Sequence, residues 1–275
     1  MPKDSVVLML RRDNMKIYLK YLIIGTPIEP FARRLHAAFT RGQSNSSKEH
    51  KSCLYEIQTT KVMKRVLKKY SNSIDVGCHQ GNILREIIHF APKGTHFAFE
   101  PLPSYYNVLL KSFGSLPNIH IYDYALSDSV GTTSFQYVVS NPAYSGFRQR
   151  RYPNPHVQIQ TITVKKIPLD NIIPEDITIQ FIKVDVEGAE LEVFIGAIET
   201  IKRNRPVIVF EHGIGAADYY ETTPNNIYDL LAVQCGLKLF LMEGWLESNG
   251  KAFLSKEAFC EQFSTGNNYY FMAAP

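Results

Sequence analysis

The sequence has few cysteines, and their spacing gives them no obvious joint role. There are four among 275 residues, no two form a CxxC pair, and no histidine spacing completes a zinc signature. Disulfide scaffolds and structural zinc sites both require closer or denser cysteines, so these classes are excluded. We expect free thiols in a reducing compartment. The four are Cys53, Cys78, Cys235 and Cys260.

Long apolar runs are also absent. The apolar run at residues 5–10 stops at Arg11, and the one at residues 17–24 is interrupted by Lys20. Neither reaches the roughly 18–20 apolar residues of a membrane span. Neither has the charged start, apolar run and small-residue cleavage site of a signal peptide in order. We therefore expect a soluble, cytoplasmic protein.

The composition suits a globular chain whose charge is unevenly distributed. Apolar residues make up 45%, which excludes global disorder, and 15 prolines and 16 glycines exclude a collagen-like or low-complexity chain. Residues 1–70 contain 15 basic and 5 acidic residues, a net charge of +10, whereas residues 71–275 carry −6. We predict a basic helical N-terminal extension over 1–70, including an amphipathic helix at 55–70, and one catalytic domain over 71–275.

From residue 71 onward, short apolar strands alternate with helices. This rhythm predicts an α/β fold with a doubly wound, mostly parallel, seven-stranded Rossmann-like sheet, which binds ligands beyond the carboxyl ends of its strands. Residues 127–173 interrupt the rhythm with two alternating segments, 132–138 and 157–164, that predict an antiparallel pair. The predicted strands are 73–76, 95–100, 118–125, 179–184, 207–210, 237–242 and 269–272, and the predicted helices are 82–90, 105–113, 189–203 and 225–235.

Three strand ends carry the residues that suggest chemistry. After the first strand, Gly77 permits a tight turn and Gly81 a close helix start, although the G-x-x-x-G spacing also fits a plain strand–turn–helix joint. Glu100, about 20 residues further on, can accept both ribose hydroxyls of an adenosine ligand or be a solvated carboxylate. The string I-K-V-D-V-E-G-A-E at residues 182–190 places three carboxylates and a lysine after the fourth strand. Lys183 either faces this site or pairs with Glu211.

These motifs together resemble one family. The order D-V-G-x-x-x-G, F-E-P, a loosely structured excursion, K-V-D-V-E-G-A-E and P-V-I-V-F-E-H resembles the FkbM family of S-adenosylmethionine-dependent methyltransferases, over roughly residues 71–215. The resemblance implies a class I methyltransferase sheet and O-methylation, often of sugar hydroxyls in glycan or natural-product pathways. The family commonly has Ala and Asn where this chain has Cys78 and His79.

The resemblance also assigns roles to residues. The turn and Glu100 would hold the cofactor S-adenosylmethionine, the end of the third strand would lie near its adenine, and the carboxylates after the fourth strand would face the sulfonium and the acceptor. The cofactor-binding residues it implies are Asp75, Gly77, Cys78, His79, Gly81, Glu100, Pro101, Asp123, Tyr124, Ala125 and Asp185. We predict Glu187, Glu190, Glu211 and Arg148 as acceptor-binding residues. Arg148 comes from a loop that also contains Tyr144 and Arg150 and would suit a lid over a polar acceptor, or is an ordinary aromatic-rich loop.

Several alternatives remain open at this stage. A hydroxyl acceptor benefits from a general base, and the candidates are Asp185, Glu187 and His212. The same acidic residues with Glu211 and His212 also have the character of a divalent-metal site, although we predict no metal. For the partner, we expect a small-molecule or glycan acceptor, with a possible contact between the basic extension and an anionic membrane. The rival is a nucleic-acid methyltransferase or binding protein that docks through the basic N-terminal segment, but no RNA-binding signature is present.

Overall fold

The computed structural model describes residues 46–152 and 156–275, with side chains from residue 51. Residues Tyr55–Pro275 form one compact unit. Most of the predicted extension, including Arg33 and Arg34, lies outside the described residues. The predicted domain boundary between residues 70 and 71 stays a prediction.

The described part of the chain contains ten strands and eight α-helices. The strands are β1 (Asn72–Val76), β2 (His96–Phe99), β3 (Ile119–Tyr122), β4 (Tyr124–Leu126), β5 (Gly131–Val138), β6 (Ile159–Ile167), β7 (Ile179–Val184), β8 (Val207–Glu211), β9 (Lys238–Phe240) and β10 (Tyr270–Ala274). The helices are α1 (Ser46–Val66), α2 (Asn82–Phe90), α3 (Pro103–Phe113), α4 (Glu190–Ile195), α5 (Ile198–Asn204), α6 (Pro224–Tyr228), α7 (Met242–Ser248) and α8 (Lys256–Ser264).

Seven strands form the main sheet in the order β3-β2-β1-β7-β8-β10-β9. The pairs β3–β2, β2–β1, β1–β7 and β7–β8 are parallel, whereas β10 runs antiparallel to both β8 and β9. The predicted doubly wound, mostly parallel sheet is therefore confirmed. Strand order reverses between β1 and β7, and ligands of such sheets bind at the carboxyl ends beside this switch point.

Alternating residues of the central strands fill two cores on opposite faces of the sheet. Ile182 and Phe210 belong to the larger core, whereas Phe181 and Val209 belong to the second. Because successive strand residues point to opposite faces, this alternation is what a sheet covered on both sides requires. The second half of α1 covers the second core through the fully buried Met63.

The excursion forms a separate small sheet in the order β4-β6-β5. Strands β5 and β6 pair antiparallel over their full length, which confirms the predicted antiparallel pair. The predicted third strand at 118–125 is instead two strands: β3 ends at Tyr122 in the main sheet, and β4 begins at Tyr124 in the small one. Pairing of Tyr124 with Lys165 in β6 causes the break.

Two helices also differ from expectation. The predicted helix at 189–203 is split into α4 and α5 at Gly196, where a Cβ would lie 2.1 Å from the Ser127 carbonyl oxygen. The chain there passes too close to its neighbour for any side chain. The predicted helix at 225–235 is α6 followed by a π-helical segment, Asp229–Gln234. Among the described residues, no helix combines the length and apolar character needed to cross a bilayer.

Candidate active site

The turn after β1 depends on residues that tolerate left-handed backbone. Gly77 has φ 73° and Gly81 φ 78°, and a Cβ on Gly77 would lie 1.9 Å from the Asp185 carbonyl oxygen. His79 has φ 51°. Asn and His adopt this region more readily than most residues, so His79 suits a position where the resembling family has Asn. The turn therefore presses against the end of β7.

Glu100 ties the end of β2 to this turn. Its carboxylate accepts hydrogen bonds from the backbone N–H of His79 at 2.7 Å and of Leu102 at 3.0 Å. Burial raises the pKa of Glu100 to about 7, against the lowering effect of these two bonds. The His79 ring packs 4.1 Å from the Tyr105 ring. Burial, followed by the charge of Lys183, lowers the pKa of His79. The turn and Glu100 therefore form one connected unit.

Lys183 lies beneath the turn between two aspartates. Its ammonium donates to the Gly77 carbonyl at 2.9 Å and lies 3.8 Å from Asp75 Oδ1 and 3.6 Å from Asp185 Oδ2. Strand register explains this, because Asp75 in β1 is paired with Lys183 in β7. Of the two alternatives, Lys183 therefore faces the site, where it contacts Asp75 and Asp185.

Asp75 is fully buried under the turn. Its two carboxylate oxygens find no hydrogen-bond partner among the described residues. Burial raises the pKa of Asp75, although Lys183 opposes the shift. Cys78 packs beside it, with its thiol directed at the Asp75 carbonyl at 3.0 Å, and burial raises the pKa of this thiol. The Lys183 ammonium, 3.8 Å from Oδ1, is the cation that faces this buried carboxyl.

Asp185 and Glu211 form an acid pair at the ends of β7 and β8. Burial raises the pKa of Glu211 well above its ordinary value, and the neighbouring charge of Asp185 raises it further. Burial also opposes ionisation of Asp185, but Lys183 and the hydroxyl of Tyr270 outweigh it and lower its pKa. The surroundings of the pair therefore favour the charged form of Asp185 and the neutral form of Glu211.

Glu187 lies in a tight loop just after β7. Its φ is 60°, and the following Gly188 has φ 114° with a Cβ position only 2.6 Å from the Tyr220 ring. Glu187 forms an ion pair with Arg150 from the excursion. The Arg150 guanidinium in turn lies 5.1 Å from the centre of the Tyr144 ring. The excursion therefore reaches the edge of the main sheet at this loop.

Glu190 and His212 lie deeper than the sequence suggests. Glu190 is buried and accepts from the Gly188 N–H at 2.9 Å. His212 is fully buried, stacked 4.7 Å from Phe263 of α8, with its Nδ1 3.9 Å from Glu190. Successive residues at the end of a strand point to opposite faces, so His212 turns away from Glu211. Its ring is enclosed near Phe263 and Glu190, and its role as a base stays a prediction.

The remaining predicted residues lie around this centre. Asp123, in the break between β3 and β4, pairs with Lys165 at 3.1 Å and is partly exposed. Tyr124 stacks on Tyr122, 6.1 Å away, and Ala125 is buried in the small sheet's core. Arg148 is exposed and donates to the Tyr219 carbonyl at 3.0 Å. Pro101 follows Glu100 and is partly buried.

The structure thus brings together Asp75, Lys183, Asp185, Glu187 and Glu211. Their individual roles stay predictions. Tyr270 was not among the predicted site residues. Tyr270 begins the last strand, β10. Because β10 runs antiparallel to β8, the start of β10 lies beside the carboxyl end of β8, where Glu211 is its register partner.

Three of these carboxylates also lie close enough to share a cation. The ligand oxygens of Asp185, Glu187 and Glu211 are all within 4.8 Å of one another. His212, which the sequence grouped with them, is not among the residues that meet this distance. Arg150 and Lys183 already supply positive charge to two of the three.

Comparison with known proteins places these motifs in context. A sequence model described as the methyltransferase FkbM domain matches residues 75–236, more than half of the chain. The 2-O-methyltransferase NoeI of Sinorhizobium fredii (strain NBRC 101917 / NGR234) is 28% identical in an alignment 146 positions long that covers 48% of this chain and 59% of NoeI. The chain therefore spans less than two thirds of the length of this relative.

Solved structures give more distant matches. A methyltransferase FkbM from Methylobacillus flagellatus KT is 18% identical, with a TM-score of 0.41, over 60% of this chain and 38% of that one. A putative rRNA-methylase from Clostridium thermocellum is 9% identical, with a TM-score of 0.42, over 78% of this chain and 91% of that one.

Proposed function

The chain belongs to the FkbM family of methyltransferases, and we propose that it transfers a methyl group from S-adenosylmethionine to a hydroxyl of a sugar-like acceptor. The observation that carries this proposal is the position of the Asp185 carboxylate at the switch point, 3.6 Å from the Lys183 ammonium and next to a glycine turn and a strand-end glutamate. The turn that would bind the cationic cofactor and the carboxylate that would act as base then lie at the same edge of the sheet.

The residues present fit this cofactor. Gly77 and Gly81 let the turn pack directly against the end of β7 and against Leu109 and Phe113 of α3, where a Cβ would clash. Asp75 offers buried carboxylate oxygens for which the described residues provide no hydrogen-bond donor, and these would attract the cationic methionine part once the turn gives access. Glu100 would hold the ribose hydroxyls, and a carboxylate there disfavours a phosphate-bearing ribose.

The protein's own chemical task is then small. When bound, S-adenosylmethionine supplies a methyl group already activated by a sulfonium. The chain has to orient the acceptor oxygen, exclude water and take up one proton, and positioning alone can supply several of the ~7–11 kcal/mol available from alignment. Asp185 is the group we assign as base: the acceptor O–H bond breaks as the new O–C bond forms, and the proton passes to the Asp185 carboxylate.

The acceptor side is lined by polar and aromatic groups. Glu187, Arg150 and Tyr144 meet where the excursion contacts the main sheet. Alternating hydrogen-bonding groups and aromatic rings suit a polyhydroxylated ring, whose hydroxyls need donors and acceptors and whose faces are apolar. The resemblance to a 2-O-methyltransferase supports the choice of an oxygen acceptor.

A transfer assay with a matched control tests this function. The full chain is incubated with S-adenosylmethionine labelled in its methyl group and with separate panels of glycans, lipids and RNAs. We expect label in a glycan, with the rate reduced about 100-fold or more in Asp185→Asn. Asp229→Asn removes a carboxylate of similar type that pairs with Lys256, and it leaves the rate unchanged. Label in RNA alone would contradict the proposed acceptor.

We also propose an anionic membrane as a partner of the basic end of α1. Lys64 and Arg65 at this end, and Lys68 and Lys69 just after the helix, are exposed. Each basic residue near an anionic surface contributes about 1 kcal/mol of attraction, which salt screens. Binding to anionic liposomes, weaker at the higher of two salt concentrations, supports the proposal. Binding to RNA but not to liposomes contradicts it.

A further inference from the structure

Tyr220 contacts two loops that border the active edge, one from the main sheet and one from the excursion. It ends a short 3₁₀ helix, Ala217–Tyr220, which follows β8, and its side chain is buried. A Cβ on Gly188 would lie 2.6 Å from the Tyr220 ring, and a Cβ on Gly146 would lie 2.9 Å from its hydroxyl oxygen. The side chain therefore fills the space between the loop after β7 and the excursion.

The Tyr220 hydroxyl is bonded to the backbone of the excursion. A buried tyrosine usually finds a partner for its hydroxyl, and here the oxygen accepts from the Arg148 N–H at 3.0 Å. The Arg148 guanidinium lies 5.4 Å from the centre of the Tyr220 ring. The Arg151 N–H donates to the Gly215 carbonyl at 2.9 Å. Residues 141–152, the excursion loop, are therefore attached to the segment after β8 at three points.

The excursion loop changes its support part-way along. Near its start it is tied to β5, because Gln136 and Gly146 exchange two backbone hydrogen bonds, of 2.7 and 3.3 Å. The backbone N–H groups of Arg148 and Arg151 donate instead to the segment after β8. The Tyr220 hydroxyl meets the loop where this change occurs. It therefore fixes the direction in which the second half of the loop runs.

The second half of the loop carries a charged group to the active edge. Arg150 follows Arg148 by two residues, and its guanidinium pairs with Glu187. The same guanidinium lies 5.1 Å from the centre of the Tyr144 ring. The Gly146 Cβ position is 3.7 Å from the Glu187 backbone oxygen, so the loop packs directly on the loop after β7. The attachment at Tyr220 thus determines where these side chains lie.

We propose that Tyr220 is a positioning residue for acceptor binding: it holds the excursion loop against the loop after β7. Arg150 and Tyr144 thereby stay beside Glu187. The use of these three residues for an acceptor rests on the proposed function. The attachment of the loop does not, so it can be measured in the protein without any acceptor.

The first experiment is amide hydrogen exchange of the full chain, followed by NMR at the Arg148 N–H. Tyr220→Phe keeps the ring and removes the oxygen that accepts from this N–H. We expect the Arg148 amide to exchange about tenfold faster in Tyr220→Phe than in the wild type, because the loop opens more readily once this bond is lost.

Tyr219→Phe is the matched control. It removes a hydroxyl from the adjacent, exposed residue and keeps the backbone carbonyl that accepts from the Arg148 side chain. We expect it to leave the exchange rate of the Arg148 amide unchanged. An unchanged rate in Tyr220→Phe, or an equal increase in both variants, overturns the proposal.

A change from the loop side tests the same contact. The Cβ that Gly146→Ala adds would lie 2.9 Å from the Tyr220 oxygen, so the loop has to move away. We expect faster exchange of the Arg148 amide, by a smaller factor when Tyr220→Phe is also present, because the two changes act on one contact. Gly266→Ala, whose added Cβ meets no atom within 4 Å, leaves this amide unchanged.

Equal factors for Gly146→Ala with and without the Tyr220 hydroxyl overturn the proposal. If Tyr220→Phe does not fold, Gly146→Ala decides alone, and an unchanged Arg148 amide then overturns the proposal.

Calorimetry and kinetics separate this inference from the proposed function. We expect Gly146→Ala to bind S-adenosylmethionine as the wild type does, because the excursion loop contacts the loop after β7 and not the glycine turn. With the acceptor labelled in the transfer assay, the acceptor KM rises about fivefold or more, while kcat stays within about twofold.

An unchanged acceptor KM overturns the positioning role. A folded wild-type chain that binds no S-adenosylmethionine contradicts the proposed function instead. The exchange rates of the Arg148 amide still decide in that case whether Tyr220 holds the loop.

Discussion

Gly77 is the residue of the turn after β1 at which a side chain has the least space. It combines a left-handed φ of 73° with a Cβ position 1.9 Å from the backbone oxygen of Asp185. An added methyl group cannot be accommodated by a side-chain rotation, so the strand end itself has to move. The same contact fixes the distance between the turn and the acid pair.

We therefore predict that Gly77→Ala lowers the free energy of unfolding by about 3 kcal/mol or more. Gly266→Ala is the matched control, because Gly266 has φ 65° but no atom within 4 Å of the added Cβ. That change costs about 1 kcal/mol, from the backbone conformation alone. Urea unfolding measures both, and equal losses would show that the contact with Asp185 is unimportant.

Glu100 makes stability depend on pH in a definite direction. Its pKa rises from 4.5 to about 7 on folding, mainly because of burial. Between these values the folded chain holds a proton that the unfolded chain has released, so stability falls as pH rises. The full effect is about 3 kcal/mol, complete at about pH 7.

Replacing Glu100 with Gln tests this dependence. We expect urea unfolding of Glu100→Gln to lack the decline between pH 4.5 and 7 that the wild type shows. Glu199→Gln, a change at an exposed glutamate, retains it. The same decline in all three proteins would mean that Glu100 titrates normally in the folded state.

At the scale of elements, α1 is the least expected contributor to the methyltransferase body. The sequence placed its residues in a basic extension, yet the fully buried Met63 packs in the second core with Phe181 and Val209. The exposed Lys64 lies next to it. The helix therefore covers one face of the sheet and also carries Tyr55 to Tyr270.

We predict that Met63→Ala lowers the free energy of unfolding by about 2–5 kcal/mol, since it leaves a cavity in a packed core. Lys64→Ala changes it by less than about 0.5 kcal/mol. Chemical denaturation of the full chain measures both. A loss for Met63→Ala no larger than that for Lys64→Ala would show that α1 is not part of this core.

The sequence predicted those strands and helices that show a clear pattern of apolar residues within their own length. The buried strands β1, β7 and β8 are short apolar runs between turns, and all three lie within one or two residues of their predicted bounds. Helix α8 was missed, although Ser255 caps it by accepting from the Ala258 N–H. The breaks at Asp123 and Gly196 were not predictable, because pairing with β6 and contact with Ser127 cause them.

The same distinction applies to the site. The glycine turn, Glu100 and Asp185 could be read from the sequence because each lies at a predicted strand end. The burial of His212 depends on which face of the sheet its side chain takes. The position of Tyr270 next to Glu211 depends on the antiparallel strand β10, which comes late in the chain. Such contacts join residues far apart in sequence, and no local spacing encodes them.

At the scale of the whole molecule, the site is assembled by the topology. Strands β1, β2, β7, β8 and β10, together with the excursion, each bring at least one group to the same edge of the sheet. The acidic balance of residues 71–275 includes the carboxylates that would attract a cationic cofactor, whereas the basic balance lies in residues 1–70. The basic excess and the acidic excess thus lie in different parts of the sequence.

The most direct test of this account is a calorimetric titration of the full chain with S-adenosylmethionine. We predict binding of about one molecule per chain, weakened tenfold or more in Glu100→Ala, a loss of about 1.4 kcal/mol. Glu199→Ala is expected to bind as the wild type does. A folded wild-type chain that gives no heat of binding, or equal affinities in all three proteins, would contradict the assignment of this edge of the sheet as the cofactor site.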